Sequence, residues 1–439
     1  MVVKLIRSTI FLLAALALQP AWANPDIQYW ETANGARVYF VPSMELPMLD
    51  VRLVFDAGSS RDAGKLGLAQ LTNGLLIEGA GGLKAQQLAE NFESVGAQFS
   101  NGALKDMAWL SLRSLRDDVY LQPALANLKR ILLKPDFPAT AFARDLAQMK
   151  IAVKASKQSP ASIASDTFFK ALYGDHPYAY PSGGTEDSLN QLKRQHVKAF
   201  YNQYYVAKNV TVAIVGQLSR PQAEALVNQL LADLPVGEQP AALPEVKPLT
   251  EAKTIRIDFP SRQSHVLVGQ LGTYRGDADY FTLYVANHPF GGSGFASRLV
   301  DEVREKRGLA YSVYSYFSPM RQQGPFQMGL QTRNDQAEQA LAILNKSLRE
   351  YVAKGPEAAE LDASLRNITG GFPLKVDSNS KIVEYLSMIG FYHLPLDYLD
   401  TFIGKIKAVD QGAIVNALQR RLQPDRMLTV IVGGQASDG

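Results

Sequence analysis

Few residues in this chain combine a type and a spacing that could do chemistry. Its five histidines, His176, His196, His265, His288 and His393, are scattered, and no pair has the spacing that brings metal ligands together on a helix or hairpin. A scattered histidine is most often an ordinary packed or surface residue. His176 and His288 each precede a proline, which favours an extended or turn conformation over a liganding role. Cysteine is absent, which excludes disulfides, thiolate nucleophiles and thiolate metal sites. The most promising stretch is residues 291–319, "GGSGFASRLVDEVREKRGLAYSVYSYFSP". An arginine such as Arg304 and a tyrosine hydroxyl such as that of Tyr311 are hydrogen-bond donors. The plainer alternative pairs Arg304 with Asp301 or Glu302 on a helix surface and leaves Tyr311 to pack. Gly291, Gly292 and Gly294 permit backbone shapes closed to other residues, and close approach of a peptide. A strand-to-helix turn explains them equally well. No Gly-Lys-Ser/Thr follows, so the stretch is not a phosphate loop.

These residues need a scaffold, and the chain reads as two similar halves. Each closes on an apolar strand ending in glycine, "NVTVAIVGQ" around Val212 and "RMLTVIVGGQ" around Val430. Each also has an earlier strand-rich segment leading into a helix ("MLDVRLVFDAG"; "SHVLVGQLGTY") and a later amphipathic helix ("LQPALANLKRILL"; "AEQALAILNKSLREYVAK"). The helices are predicted from apolar residues at three- and four-residue spacing, and strands such as "AWLSLRSL" from alternation and β-branching. Between the halves, residues 235–252 carry Pro235, Pro240, Pro244 and Pro248 without periodicity, which predicts an extended linker. The expected organisation is thus one half at 24–234, the linker, and a second half at 253–439. Chance similarity of two α/β segments is the bland alternative.

At 439 residues the chain is too long for one ordinary core, and 46% hydrophobic with 20% charged residues describes a folded protein. A net charge of +3 argues against a dedicated nucleic-acid binder. Residues 1–23 have Lys4 and Arg7, an apolar run from Ile10 to Leu18, and small residues at Ala21 and Ala23. That layout predicts a secretory signal cleaved before Asn24, and the run is well short of the ~20 residues a membrane span needs. The expectation is an exported protein without a span, periplasmic in a Gram-negative host.

The 291–319 stretch closely resembles the second-domain signature of the insulinase-like, pitrilysin-type zinc peptidases, the M16 family. "DVRLVFDAGSSRDAGKLGLAQLTNGLL", "ESVGAQFSNGALKDMAWLSL" and "ALYGDHPYAYPSGGTEDSL" resemble segments of that family's first domain, so the similarity spans the mature chain. It implies an α+β fold of two homologous α/β-sandwich halves forming a half-clamshell. Catalytic members carry His-x-x-Glu-His on the first helix of the first domain, two zinc ligands and a general base. The pattern falls here on Gln70, Asn73 and Gly74, none of which can play those parts. The family's distal glutamate would fall near "AQMKIAVKAS", which offers Lys150, Ile151, Ala152 and Lys154 but no acid. The resemblance therefore implies no metal in this chain. Zinc is expected in a partner, an M16 paralogue forming a heterodimer to which Arg304 and Tyr311 would lend transition-state support in trans. Peptide substrates are implied too, gripped as an added strand along residues 96–106, where Asn101 and Gly102 nevertheless look like a turn. A stand-alone peptide-binding or chaperone-like clamp is the competing function, and an active enzyme with a displaced site the third.

Overall fold

The computed structural model describes residues 26–434, so the leader expected at 1–23 lies outside the described residues. Eight strands belong to the first part of the chain: β1 (Gln28–Glu31), β2 (Arg37–Pro42), β3 (Met48–Phe55), a small hairpin of β4 (Gly79–Ala80) and β5 (Leu83–Lys84), β6 (Gln98–Ala103), β7 (Ala108–Leu115) and β8 (Val210–Gly216). Five follow: β9 (Lys253–Ile257), β10 (Gln263–Leu271), β11 (Ala310–Phe317), β12 (Pro325–Arg333) and β13 (Leu428–Val432). The helices that matter here are α1 (Leu68–Leu75), α2 (Asp118–Leu133), α3 (Ala139–Ser156), α4 (Pro160–Tyr173), α5 (Tyr280–Asn287), α6 (Ala337–Lys354), α7 (Asn379–Phe391) and α8 (Tyr398–Lys407). The amphipathic helices expected from the sequence are α2 and α6.

The two large sheets are open and share one topology. Their strand orders are β1-β2-β8-β3-β7-β6 and β11-β12-β10-β13-β9. Reading the second backwards aligns it with the first: in each, one parallel pair (β2 with β8, β9 with β13) adjoins three antiparallel strands. In both the hairpin beyond ends in an edge strand, β6 or β11. This mixed α/β duplication is what the paired apolar strands imply.

Strands β8 and β13 are buried along their whole length, as continuous apolar runs are when both faces of a sheet are covered. One face of the first sheet packs on its own helices, with Val38, Phe40, Val212 and Ile214 in that core. The opposite face, with Tyr39, Val41, Ala213 and Val215, joins the core of the second half, because α7 lies across it. Reciprocally, Ala164, Phe168 and Leu172 of α4 pack on Leu267, Leu271 and Val430 of the second sheet. Each half thus lends a helix to the other's sheet.

The linker residues 235–252 form no helix or strand but are held down. Leu243 is buried, Arg61 donates to the Ala241 carbonyl at 2.7 Å, and a His176 ring nitrogen lies 3.0 Å from the Pro244 carbonyl. His176 behaves as a turn residue, its Nδ1 accepting from the Tyr178 N–H at 3.1 Å. His288 does not. The following proline predicts extended backbone, yet His288 is αR (φ −57°, ψ −55°) and continues α5 into a wider π turn over His288–Gly292. Its ring nitrogens lie 3.0 Å from Ser364 Oγ and 3.2 Å from Asn367 Oδ1, and the wider turn accommodates a proline that an α-helical turn would resist. No helix among the described residues is long and apolar enough to cross a membrane.

Candidate functional site

Helix α1 starts from a left-handed Gly67 (φ 91°). The buried Asp62 caps it, its carboxylate accepting from the Gly67 and Ala69 N–H groups at 2.8 Å each. Burial nevertheless pushes that carboxyl up to about 7. Gln70, Asn73 and Gly74 follow at positions i, i+3 and i+4, one helical face. Gln70 is exposed and lines a cavity of about 610 Å³ shared with Ala152 and Met149 of α3. The fold therefore brings together the helix face and the segment where a distal glutamate would stand, and it places no acid from that segment there. Asn73 is 1% exposed. Its Nδ2 donates to the Trp109 carbonyl at 3.3 Å and the Tyr205 hydroxyl at 3.2 Å. Its Oδ1 accepts from Asn101 Nδ2 at 3.0 Å. A Cβ at Gly74 would meet nothing within 4 Å. Three carboxylates, Asp166, Glu186 and Asp187, also line the cavity, and Glu186 is held by Lys157 at 2.9 Å. Among the described residues no group of three or more histidine, aspartate or glutamate side chains is placed to hold a metal. The residues on this face do not fit a zinc ion: one is an amide in open solvent, one an amide already spoken for, one has no side chain.

Asn101 and Gly102, which look like a turn in sequence, lie within β6 and pair with Leu110 and Trp109. A Cβ on Gly102 would come 2.4 Å from the Trp109 ring, so the glycine serves cross-strand packing rather than chain reversal. Strand β6 is the free edge of its sheet, and Asn101 ties that edge to α1.

In the second half, Arg304 sits on a π-helical turn, Asp301–Glu305, and Tyr311 near the start of the edge strand β11. The two come together. The Arg304 guanidinium carbon lies 4.7 Å from the Tyr311 ring centroid and 4.8 Å from that of Phe295, close enough for cation–π attraction. Asp301 and Glu302 are not its partners: Lys306 takes both at 2.7 Å, and Arg307 reaches Glu302 at 2.7 Å. Arg304 meets only Glu305, through Nε at 3.3 Å. Tyr311 is 83% exposed and Phe295 76%, so neither merely packs. The terminal nitrogens of Arg304 and the Tyr311 hydroxyl have no hydrogen-bond partner among the described residues.

The glycine turn has an internal explanation. A Cβ on Gly291 would come 2.3 Å from Ser315 Oγ, and one on Gly292 2.6 Å from Asn287 Nδ2. Both therefore admit the chain's own β11 and α5. Only Gly294 uses left-handed backbone (φ 63°), and Phe295 follows it. Sequence reasoning read this stretch for its glycines and passed over Phe295, although an aromatic flanked by small residues before an arginine was the available signal.

The two halves meet at a buried acid that sequence reasoning also missed. Asp106, 4% exposed in the β6–β7 turn, accepts hydrogen bonds from the Tyr178 hydroxyl, the Tyr392 hydroxyl at 2.9 Å and the Arg321 backbone N–H at 2.8 Å. Nearby, Asp56 is clasped by Arg61 at 2.7 Å and approached by Arg321 at 3.6 Å.

Family models agree with this architecture. Residues 45–186 match the insulinase model of peptidase family M16, and residues 191–368 match the peptidase M16 inactive domain. A crystal structure of a peptidase M16 inactive domain from Pseudomonas fluorescens is 42% identical, superposes with a TM-score of 0.91, and is covered over 99% of its length by 94% of this chain. The non-peptidase homolog YmxG of Helicobacter pylori is 26% identical over 401 residues, 90% of each chain. The uncharacterized zinc protease YmxG of Bacillus subtilis is 25% identical over 401 residues, 90% of this chain and 95% of its own. With two M16 models matched in succession over residues 45–186 and 191–368, and a 42% identical M16 structure covered over 99% of its length, this chain belongs to the M16 family of insulinase-type peptidases.

Proposed function

We propose that the chain is a non-catalytic, peptide-binding subunit of a two-component, exported M16 peptidase. A zinc-bearing M16 partner supplies the metal, and this chain completes the chamber and lends Arg304 and Tyr311 to the scissile peptide. The observation that carries the reading is the contrast between the halves. Asn73 is built into a hydrogen-bonded core where a general base would have to stand, while Tyr311 is exposed and the half-buried Arg304 stacks on it. In a duplicated fold the metal and the Arg–Tyr pair belong to different halves, so two chains can divide them. That a relative is named a non-peptidase homolog supports the same division.

The test is steady-state kinetics of the reconstituted heteromer on one quenched peptide. Arg304→Ala and Tyr311→Phe are expected to lower turnover by ~10- to 1000-fold, as loss of other oxyanion donors does. The loss falls in kcat more than KM if the contact tightens at the transition state. Thermal melts and partner association should not change, because one variant truncates a half-buried polar arm whose ion pair is with the exposed Glu305 and the other deletes a hydroxyl. Unchanged kinetics in both variants would reduce the pair to surface chemistry. Failure of any zinc-bearing partner to co-purify from the native host would favour a stand-alone peptide clamp.

A further inference from the structure

Away from both sites, two adjoining cavities of about 440 and 470 Å³ open beside α5 and α8. Both are lined by Arg275, Tyr280 and Tyr398. Arg275 lies between them, and its charge has no carboxylate partner among the described residues. Its Nε–H is buried without an acceptor, its Nη1 touches the Tyr280 hydroxyl only at 3.5 Å, and the rings of Tyr280 and Tyr392 flank it at 5.8 and 5.6 Å. The acids around it are engaged elsewhere. Asp277 is bound by Arg421 at 2.7 Å through Oδ1 alone, its buried Oδ2 having no partner, while Asp279 is held by Arg420 and Arg421 at 2.8 Å and Glu384 by Arg52 at 3.4 Å. Lys405 also lines the first, more apolar cavity, with its ammonium 5.3 Å from the Phe281 ring centroid. Lys375 lines the second, bonded only to the Tyr284 hydroxyl at 3.0 Å. Lys381, by contrast, is already neutralised by Asp377 at 2.9 Å.

A half-buried guanidinium without a counter-ion is costly unless something supplies the negative charge. Its planar fork suits a carboxylate, which can accept two parallel N–H bonds. Most of the remaining wall of the first cavity is apolar, formed by residues such as Phe281, Leu394, Pro395 and Val409, with Asp277 and Thr282 as further polar lining. A volume of about 440 Å³ lies in the range of ligand pockets, ~300–1,000 Å³, and holds a residue or two rather than a folded partner.

We infer that this cavity binds a carboxylate carried on an apolar body, and specifically the C-terminal residue of a peptide that ends in a large apolar side chain. The α-carboxylate meets Arg275 and Lys405, and the side chain lies against Phe281, Leu394 and Val409. The choice of a peptide as the carrier rests on the function proposed above; the carboxylate chemistry does not.

Fluorescence anisotropy of the full chain with a short labelled peptide ending in Leu-Phe, as the free acid and as the C-terminal amide, tests the inference directly. The free acid should bind saturably, and the amide at least ~10-fold more weakly, as when one partner of a charged pair is removed. Arg275→Gln should weaken the free acid by a similar factor, and the exposed Lys405→Gln by a few-fold, which keeps the test alive if the first variant misfolds. Arg304→Ala and Tyr311→Phe should leave this binding unchanged, so loss of turnover and loss of anchoring remain separable. Equal affinity for acid and amide, or full affinity in both cavity variants, would overturn the site. Competition by phenylacetate at the same concentration as the peptide would overturn the peptide as its carrier.

Discussion

At position 73 an amide and a carboxylate make opposite demands on one small space. Asn73 both donates, to Trp109 and Tyr205, and accepts, from Asn101. A glutamate there could only accept, and would bring a buried charge against the Trp109 carbonyl. Asn73→Glu is therefore expected to destabilise the chain by ~1–3 kcal/mol, the cost of leaving buried polar groups unmatched, read as a lowered midpoint in urea unfolding; an unmoved midpoint would mean the network holds nothing. Even with Gln70→His and Gly74→His added, the chain should retain no stoichiometric zinc after dialysis, since the facing segment around Ala152 brings no carboxylate. About one retained zinc per triple variant would refute that. The loss of ligands was legible in sequence, because residue types alone decide it. The reuse of Asn73 was not, because its partners lie on β6, β7 and the loop after the next helices, and only the fold joins them. Likewise the acids beside Arg304 pointed to a surface ion pair, but Lys306 and Arg307 compete better for Asp301 and Glu302.

Among the elements, the lent helices depend on glycines at their closest approach. A Cβ on Gly390 of α7 would lie 2.5 Å from Thr211 Cγ2 and 2.6 Å from the Tyr39 ring. On the other side, Gly269 of β10 leaves room for the Phe168 ring of α4, which a Cβ would approach at 2.8 Å. Gly390→Val should thus push α7 off the first sheet and cost ~1–3 kcal/mol, as overpacking does. A thermal melt reads the loss, and a melt unchanged from wild type would show that the helix–sheet contact contributes little. Apolar runs such as "VTVAIVG" announced the strand β8, and helical spacing announced α2 and α6. What covers the second face could not be read, because amphipathic periodicity gives a helix an apolar side without naming the sheet it meets. For the same reason β6 was misjudged locally: Asn-Gly favours a turn in isolation, and Trp109 packing over Gly102 outweighs it.

For the whole molecule, Asp106 is where the halves are fastened, through Tyr178, Tyr392 and the Arg321 backbone. Asp106→Asn replaces one acceptor oxygen with a donor facing groups that already donate. It should lower stability by ~1–3 kcal/mol while the chain still unfolds in one transition, since the exchanged helices continue to bind the halves together. Calorimetry resolving two separate transitions in this variant would show instead that Asp106 alone couples them. The proline-rich joint was legible as irregular chain, yet it is no free tether, because Leu243, Ala241 and Pro244 are each engaged by the body of the protein. The exchange of helices also sets an order of events during synthesis. The last strand of the first sheet ends at Gly216, but the helix that closes its second face spans Asn379–Phe391. At ~5–20 residues per second, a ribosome needs on the order of ten to thirty seconds to make the intervening chain. Throughout that interval the nascent first half has an uncovered apolar face, and a chaperone has its opportunity to hold the chain before it can close.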